Sequence, residues 1–273
     1  MRTGRSHYIF LSISLALLGA CGQETAEAPA HEMAATEAAA PEAALPEAAP
    51  QTAEAESLSA QLEARVARFK EMAPPDRIAA AEGAIAEIAA SGILDKAIKK
   101  GNKAPDFTLP NAIGETVNLY SALENGPVIL TWYRGSWCPY CNIQLHSYQE
   151  SLDTIAAAGA QLMAVSPELP DSALTWKEKE ELEFAVLSDL GNATARDYGV
   201  VYRIPDAIAA GYKQGGRTDL TEYNGDDSLE LPLAVTYVID TDGTVVYSFV
   251  DADYRKRAET REVIEVVTQL AAE

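Results

Sequence analysis

Between Val128 and Cys141 the chain passes from an uncharged, strand-prone run, Val128-Ile129-Leu130-Thr131-Trp132-Tyr133, straight into a helical pattern that opens on a cysteine pair. That junction restricts the fold more than any other feature. The run reads as a buried strand entered from the turn Asn125-Gly126-Pro127, and the helix after it carries Leu145, Tyr148, Leu152 and Ile155 on one face. Gln161 to Val165 is the next strand, Asp171 to Glu181 the next helix and Phe184 to Leu187 a third strand. Strands alternating with helices imply a mainly parallel sheet with right-handed crossovers. Val235 to Ile239 and Thr244 to Val250 then read as a hairpin about Asp240-Thr241-Asp242-Gly243, and a helix from Ala258 to Leu270 closes the domain. The expectation is an α/β fold over residues 101–273, with a mixed central sheet flanked by helices.

A helical extension, residues 57–100, precedes that domain. Leu58, Leu62, Val66, Phe69 and Met72 recur at steps of four, four, three and three, one face of a helix ending at Pro74-Pro75. A second helix runs through Ile78, Ile85 and Ile88. These stripes are packing surfaces, either for the following domain or for a partner.

The first 20 residues look like an address. Arg2 and Arg5 precede the apolar stretch Tyr8 to Leu18, and small residues follow, the order of a secretory signal. The stretch is eleven residues long and falls short of the ~20 needed to span a bilayer. Leu18-Gly19-Ala20-Cys21 resembles the lipobox of bacterial lipoproteins, which makes Cys21 a lipidation site and the first mature residue. The expected location is therefore extracytoplasmic, on a membrane through the lipid on Cys21, as in the bacterial periplasm. Gly22 to Glu56 contains 14 Ala, 8 Glu and 4 Pro with no Lys or Arg, so residues 21–56 read as a lipidated cysteine and a disordered tether. Its reach lies between ~35 Å as a coil and ~110 Å fully extended. With 41 Asp and Glu against 21 Lys and Arg the chain carries −20, which argues against nucleic-acid binding.

Arg134-Gly135-Ser136-Trp137-Cys138-Pro139-Tyr140-Cys141 places a CxxC pair where a strand hands over to a helix, as in the thioredoxin-like redox motif. Cys138 falls at the helix N-terminus, where unpaired N–H groups and the dipole favour thiolate, so it is the expected nucleophile. Cys141, one turn later on the same side, is placed to resolve the adduct. Pro139 suits the first helical position. Arg134 adds positive charge if its side chain turns toward the sulfur, and is otherwise a solvated surface arginine. A zinc site would need four ligands, and outside the signal and tether the only further Cys or His is His146. His146 is eight residues on from Cys138, roughly 12 Å along the helix, too far for a Cys-His catalytic pair. No metal and no cofactor is called for. A static structural disulfide stays open, although so short a loop gains little as a crosslink.

Ala104-Pro105-Asp106-Phe107-Thr108-Leu109 with Gly114, the Trp-Cys-Pro-Tyr-Cys motif, Val165-Ser166-Pro167, Leu187-Ser188-Asp189, Tyr223 to Ser228 and Thr236 to Asp240 resemble the peroxiredoxin branch of the thioredoxin fold, the alkyl hydroperoxide reductase and thiol-specific antioxidant class. The resemblance covers residues 101–273. It implies thiol-dependent reduction of hydrogen peroxide and organic hydroperoxides, with recycling by thioredoxin or a similar dithiol donor. The peroxiredoxin pattern has Pro seven and Thr three residues before the nucleophile and an Arg at the head of the later strand; here those places hold Thr131, Gly135 and Ala234. Ser136, Arg134 and helix-start N–H groups are the candidate substitutes. The chain also resembles membrane-tethered disulfide reductases, whose cis-proline would fall at Ala234, with Pro232 a stand-in only after a register shift. A third reading is a non-enzymatic lipoprotein with a structural disulfide. Trp137 and Tyr140 form either an apolar rim for a partner or plain packing, and the insert Ile204 to Leu231, with Gly211, Gly215 and Gly216, borders the site by analogy.

Overall fold

Alternate residues of the first buried strand serve two different cores. Val128, Leu130 and Trp132 pack on one face of the sheet, while Ile129 and Tyr133 join the cluster on the other. The computed structural model describes residues 57–212 and 218–272. The signal, Cys21 and the tether through Glu56 lie outside the described residues, as do Gly215 and Gly216.

The elements follow in chain order. Helices α1 (Leu58–Met72), α2 (Pro75–Ala90) and α3 (Ile93–Lys96) come first, then β1 (Thr108–Pro110), β2 (Thr116–Asn118) and α4 (Leu119–Leu123). The central run is β3 (Val128–Trp132), α5 (Pro139–Glu150), α6 (Leu152–Ala157), β4 (Gln161–Ser166), α7 (Pro170–Lys179) and β5 (Ala185–Ser188). After it come α8 (Ala193–Asp197), β6 (Val201–Arg203), α9 (Asp206–Ala209), α10 (Leu220–Asn224) and β7 (Glu230–Pro232). Strands β8 (Thr236–Ile239) and β9 (Val245–Phe249) and helix α11 (Thr260–Leu270) end the fold.

The main sheet has the order β5-β4-β3-β8-β9. β3, β4 and β5 run parallel, as the strand–helix alternation requires, and β8 and β9 are antiparallel additions. The expected hairpin is present, with an irregularity between Val238 and Ile239. β1 pairs with β2, and β6 with β7, in two small ladders of their own. Helices cover both faces, so the strands can be apolar on both sides. The fold is thus the expected mixed α/β arrangement of thioredoxin type.

One expected helix is two. The stripe from Leu145 to Ile155 breaks at Ser151 (φ −104°, ψ 4°), whose N–H donates to Tyr148 O at 3.1 Å, so α6 is a helix separate from α5.

The N-terminal extension packs on its own chain. The Ser57 hydroxyl caps α1 by accepting the Ala60 N–H, and Leu58 and Leu62 enter the core beside α5. The Ser59 N–H donates to the Glu259 carboxylate at 2.6 Å, and Arg255 donates to both Glu82 oxygens at 2.8 and 3.1 Å. The stripe is not buried throughout: Met72 is 73% exposed at the end of α1, beyond the reach of α5. Replacing the fully enclosed Leu62 with Ala should therefore cost about 2–4 kcal/mol in urea unfolding; a loss below about 1 kcal/mol would mean that α1 is not part of the folding unit.

Candidate active site at the start of α5

The chain leaves β3 through a turn that only glycine can make. Gly135 has φ +147°, and a Cβ there would lie 2.2 Å from Trp137 Nε1. The absent threonine of the peroxiredoxin pattern thus has a local cause: the Trp137 indole occupies the space its side chain would need. Ser136 is tied down next. Its N–H and hydroxyl donate to the buried Glu168 carboxylate at 2.9 and 2.7 Å, and its carbonyl accepts from Asn142 Nδ2 at 3.0 Å. With its hydroxyl proton committed to Glu168, Ser136 does not serve as the substitute donor that the sequence suggested. Burial pushes the Glu168 carboxyl above its ordinary value, against the hydrogen bonds from Ser136 that hold it down.

Cys138 occupies the N-cap of α5 and Pro139 its first helical position, as the spacing predicts. The Cys138 N–H donates to Gly135 O at 3.0 Å, and its own carbonyl accepts from Cys141 and Asn142. Its sulfur takes no capping hydrogen bond from the first-turn amides. Both cysteines are free thiols and both are buried, Cys138 with 1% exposure. Two arginines flank them. Arg134 Nη1 lies 3.9 Å from Cys138 Sγ, so Arg134 does turn toward that sulfur, and its backbone N–H donates to Cys141 Sγ at 3.4 Å. Arg257 Nη2 donates to Cys141 Sγ at 3.3 Å.

These contacts separate the two thiols. Burial opposes ionisation of Cys138, but the Cys141 thiol bonded to it and the charges of Arg134 and Arg257 prevail and hold it well below the ordinary thiol value. Cys141 is pushed well above that value, by burial first and then by the anionic neighbour to which it donates.

An aromatic cage closes around Arg134. Its guanidinium carbon is 4.2 Å from the centre of the Tyr254 ring, 4.9 Å from that of Trp137 and 5.9 Å from that of Tyr212, and Nη2 donates to the Tyr212 hydroxyl at 2.8 Å. Part of the Ile204 to Leu231 insert therefore does border the site, through Tyr212. Tyr140 is no docking rim: it is buried, edge-on to Tyr254 at 5.5 Å and under Arg65 of α1. Trp137 is half-buried against Tyr212.

The remaining sequence candidates go elsewhere. Thr131 donates to Val235 O at 3.0 Å and meets the Thr236 hydroxyl at 3.1 Å, inside a buried cluster with Gln144 and Tyr148. Ala234 is buried and offers no donor. Pro232 is paired with Val201 in the β6–β7 ladder, so it does not stand in for position 234. His146 points to Glu180 at 2.7 Å on the surface, away from the cysteines. Sequence reading missed Arg257, Glu168 and Tyr254. No local signal marks Arg257, which sits in the run Arg255-Lys256-Arg257; Glu168 lies two residues past the end of β4, the parallel neighbour of β3, a position that could have raised it.

A family model described as the AhpC/TSA family matches residues 100–248. Over 198 residues the chain is 27% identical to the chloroplastic peroxiredoxin Q of Triticum aestivum, covering 72% of this chain and 80% of that protein. Over 103 residues it is 31% identical to peroxiredoxin Bcp of Escherichia coli (strain K12), covering 38% of this chain and 65% of that one. Among solved structures, peroxiredoxin 6 of Arenicola marina superposes with a TM-score of 0.51 at 17% identity, over 64% of this chain and 76% of that one, a likeness of fold.

Ultraviolet titration of thiolate absorbance should find one thiolate already formed well below the ordinary thiol value of 9.0, lost in Cys138→Ser and retained in Cys141→Ser. Between the folded pKa of Cys138 and 9.0 the unfolded chain binds more protons, so stability of the reduced protein rises with pH across that window and is lost as pH falls through the folded value. Gly135→Thr, which restores the family residue, should cost about 2 kcal/mol or more and change Trp137 fluorescence; unchanged stability would refute the steric reading of this turn.

Proposed function

Because this chain belongs to the AhpC/TSA family, we propose that it reduces peroxides through a two-cysteine cycle in which Cys138 attacks and Cys141 resolves. Its class, thiol-dependent peroxidase and hence oxidoreductase, follows from that membership and from its peroxiredoxin relatives. The observation that supports the two-cysteine cycle is the burial of two guanidinium groups against a buried CxxC pair.

In the cycle, the Cys138 thiolate attacks one oxygen of hydrogen peroxide or an organic hydroperoxide. The S–O bond forms, the O–O bond breaks, and hydroxide or alkoxide leaves and takes up a proton. Negative charge builds on the leaving oxygen, and Arg134, 3.9 Å from the attacking sulfur, stabilises it in place of the missing threonine and strand arginine. Cys141 then attacks the Cys138 sulfenic acid, forming the disulfide and releasing water once hydroxide is protonated. A dithiol donor of thioredoxin type reduces the pair through a mixed disulfide. With a lipidated Cys21 and the tether behind it, the reaction belongs at an extracytoplasmic membrane surface.

Cys138, at 1% exposure, favours a small substrate for the first step over a protein disulfide, because a peroxide needs only a brief opening of the cage. The full chain in detergent, supplied with a dithiol donor, should consume peroxide; Cys138→Ser should reduce turnover by about a thousandfold or more, the scale expected when a nucleophile is removed. Reduction of a protein disulfide with negligible peroxide turnover would establish the reductase reading instead. Inertness toward both, or activity that survives Cys138→Ser, would remove Cys138 from the chemistry.

A further inference from the structure

Among the described residues four charged side chains are buried: Arg134, Glu168, Asp189 and Arg257. The two acids are satisfied away from the cations. Glu168 accepts from Ser136, and Asp189 accepts from the Thr194 and Ala195 N–H groups at 3.0 and 2.8 Å. Among the described residues neither cation meets a carboxylate: Arg134 finds a phenol, aromatic faces and Cys138, while Arg257 finds the Tyr254 and Lys256 carbonyls and Cys141. A buried charge without a counter-ion is expensive, and the cysteine sulfurs are the groups here that can supply one.

We infer that Arg257 is a catalytic residue of the second half of the cycle: its guanidinium, placed on Cys141 Sγ, stabilises the Cys141 thiolate that attacks the Cys138 sulfenic acid. The inference rests on the two-cysteine reading above. In the reduced state the single thiolate on Cys138 faces both cations, and Cys141 keeps its proton to donate to that thiolate. Oxidation of Cys138 to the neutral sulfenic acid removes the negative charge and the acceptor together. Both guanidinium groups then lack a counter-ion, and loss of the Cys141 proton restores one. The Cys141 sulfur attacks Cys138 sulfur, the S–S bond forms, the S–O bond breaks, and the departing hydroxide combines with the released proton as water. The charge that activates the resolving thiol is thus withheld while Cys138 is reduced and becomes effective once Cys138 is oxidised. Its donor comes from the segment between β9 and α11, while Arg134 comes from the end of β3, so each sulfur has a guanidinium of its own.

The test separates the two steps in the full chain. Peroxide is added to the reduced protein, loss of Cys138 thiolate is followed by absorbance, and disulfide formation by acid quench, alkylation and mass spectrometry. In Arg257→Gln the second step should slow at least about tenfold relative to the first, one pKa unit in Cys141 being tenfold in thiolate. Sulfinic acid should accumulate on Cys138 in that variant, raising the pH should recover the lost rate, and Arg257→Lys, which keeps the charge, should recover most of it at neutral pH. A merely structural role predicts no recovery by pH or by lysine, and that outcome overturns the inference, as does a second step in Arg257→Gln with the wild-type rate and pH profile. If wild-type protein forms no Cys138–Cys141 disulfide on peroxide addition, the two-cysteine reading itself fails. A wild-type disulfide that Arg257→Gln forms equally fast leaves that reading intact and removes only Arg257.

Discussion

Two guanidinium groups buried against two sulfurs form the constraint around which the active end of this molecule is organised. Moving such a cation out of water costs several kcal/mol even after relaxation, and attraction to an anion offsets that only at close range. The Cys138 thiolate is that anion. The acidity of the pair and the stability of the reduced fold are therefore one effect seen from two sides. When the pair is a disulfide it carries no charge, both cations lose their counter-ion, and the reduced state is favoured. In the proposed two-cysteine cycle, stabilising the reduced form in this way makes the couple more oxidising.

The rest of the site keeps the sulfurs in register with those charges. Ser136 is clamped to Glu168 and to Asn142, which fixes the turn before Cys138 from one side and the first turns of α5 from the other. Trp137 lies over Gly135 and against Tyr212, and the Tyr254 ring lies 4.2 Å from the Arg134 guanidinium carbon. Tyr140 packs under Arg65 of α1, so the N-terminal extension bears on the first turn of α5. Beside the departures from the peroxiredoxin pattern at Thr131, Gly135 and Ala234, the guanidinium groups that reach the sulfurs are those of Arg134, just after β3, and Arg257, between β9 and α11.

Much of the fold was legible because it follows from periodicity. The β3 strand, the parallel pairings to β4 and β5, the β8–β9 hairpin and the closing helix all stand where runs of apolar residues and turn chemistry place them. Local hydrogen bonding is less visible to periodicity, so the break at Ser151 was not foreseen: the apolar stripe continues through it while the backbone turns. The acidity expected for Cys138 draws on more than its position suggests. Spacing credits the helix N-terminus alone, whereas the Cys141 thiol and the charges of Arg134 and Arg257 lower Cys138 more than the first-turn Cys141 N–H does.

The sequence by itself determined the sheet, the handover from strand to helix and the placing of Cys138 and Cys141 at that handover, because each depends on neighbours a few residues apart. Tertiary structure alone decided which charges reach the sulfurs. Arg255, Lys256 and Arg257 are adjacent and chemically similar, yet Arg255 pairs with Glu82 and Asp253, Lys256 with Asp251 and Arg257 with Cys141. Their destinations depend on the path of the backbone between β9 and α11 and on α2 and α5 packing beside it, and electrostatic energy varies with distance and burial that no short stretch of sequence encodes.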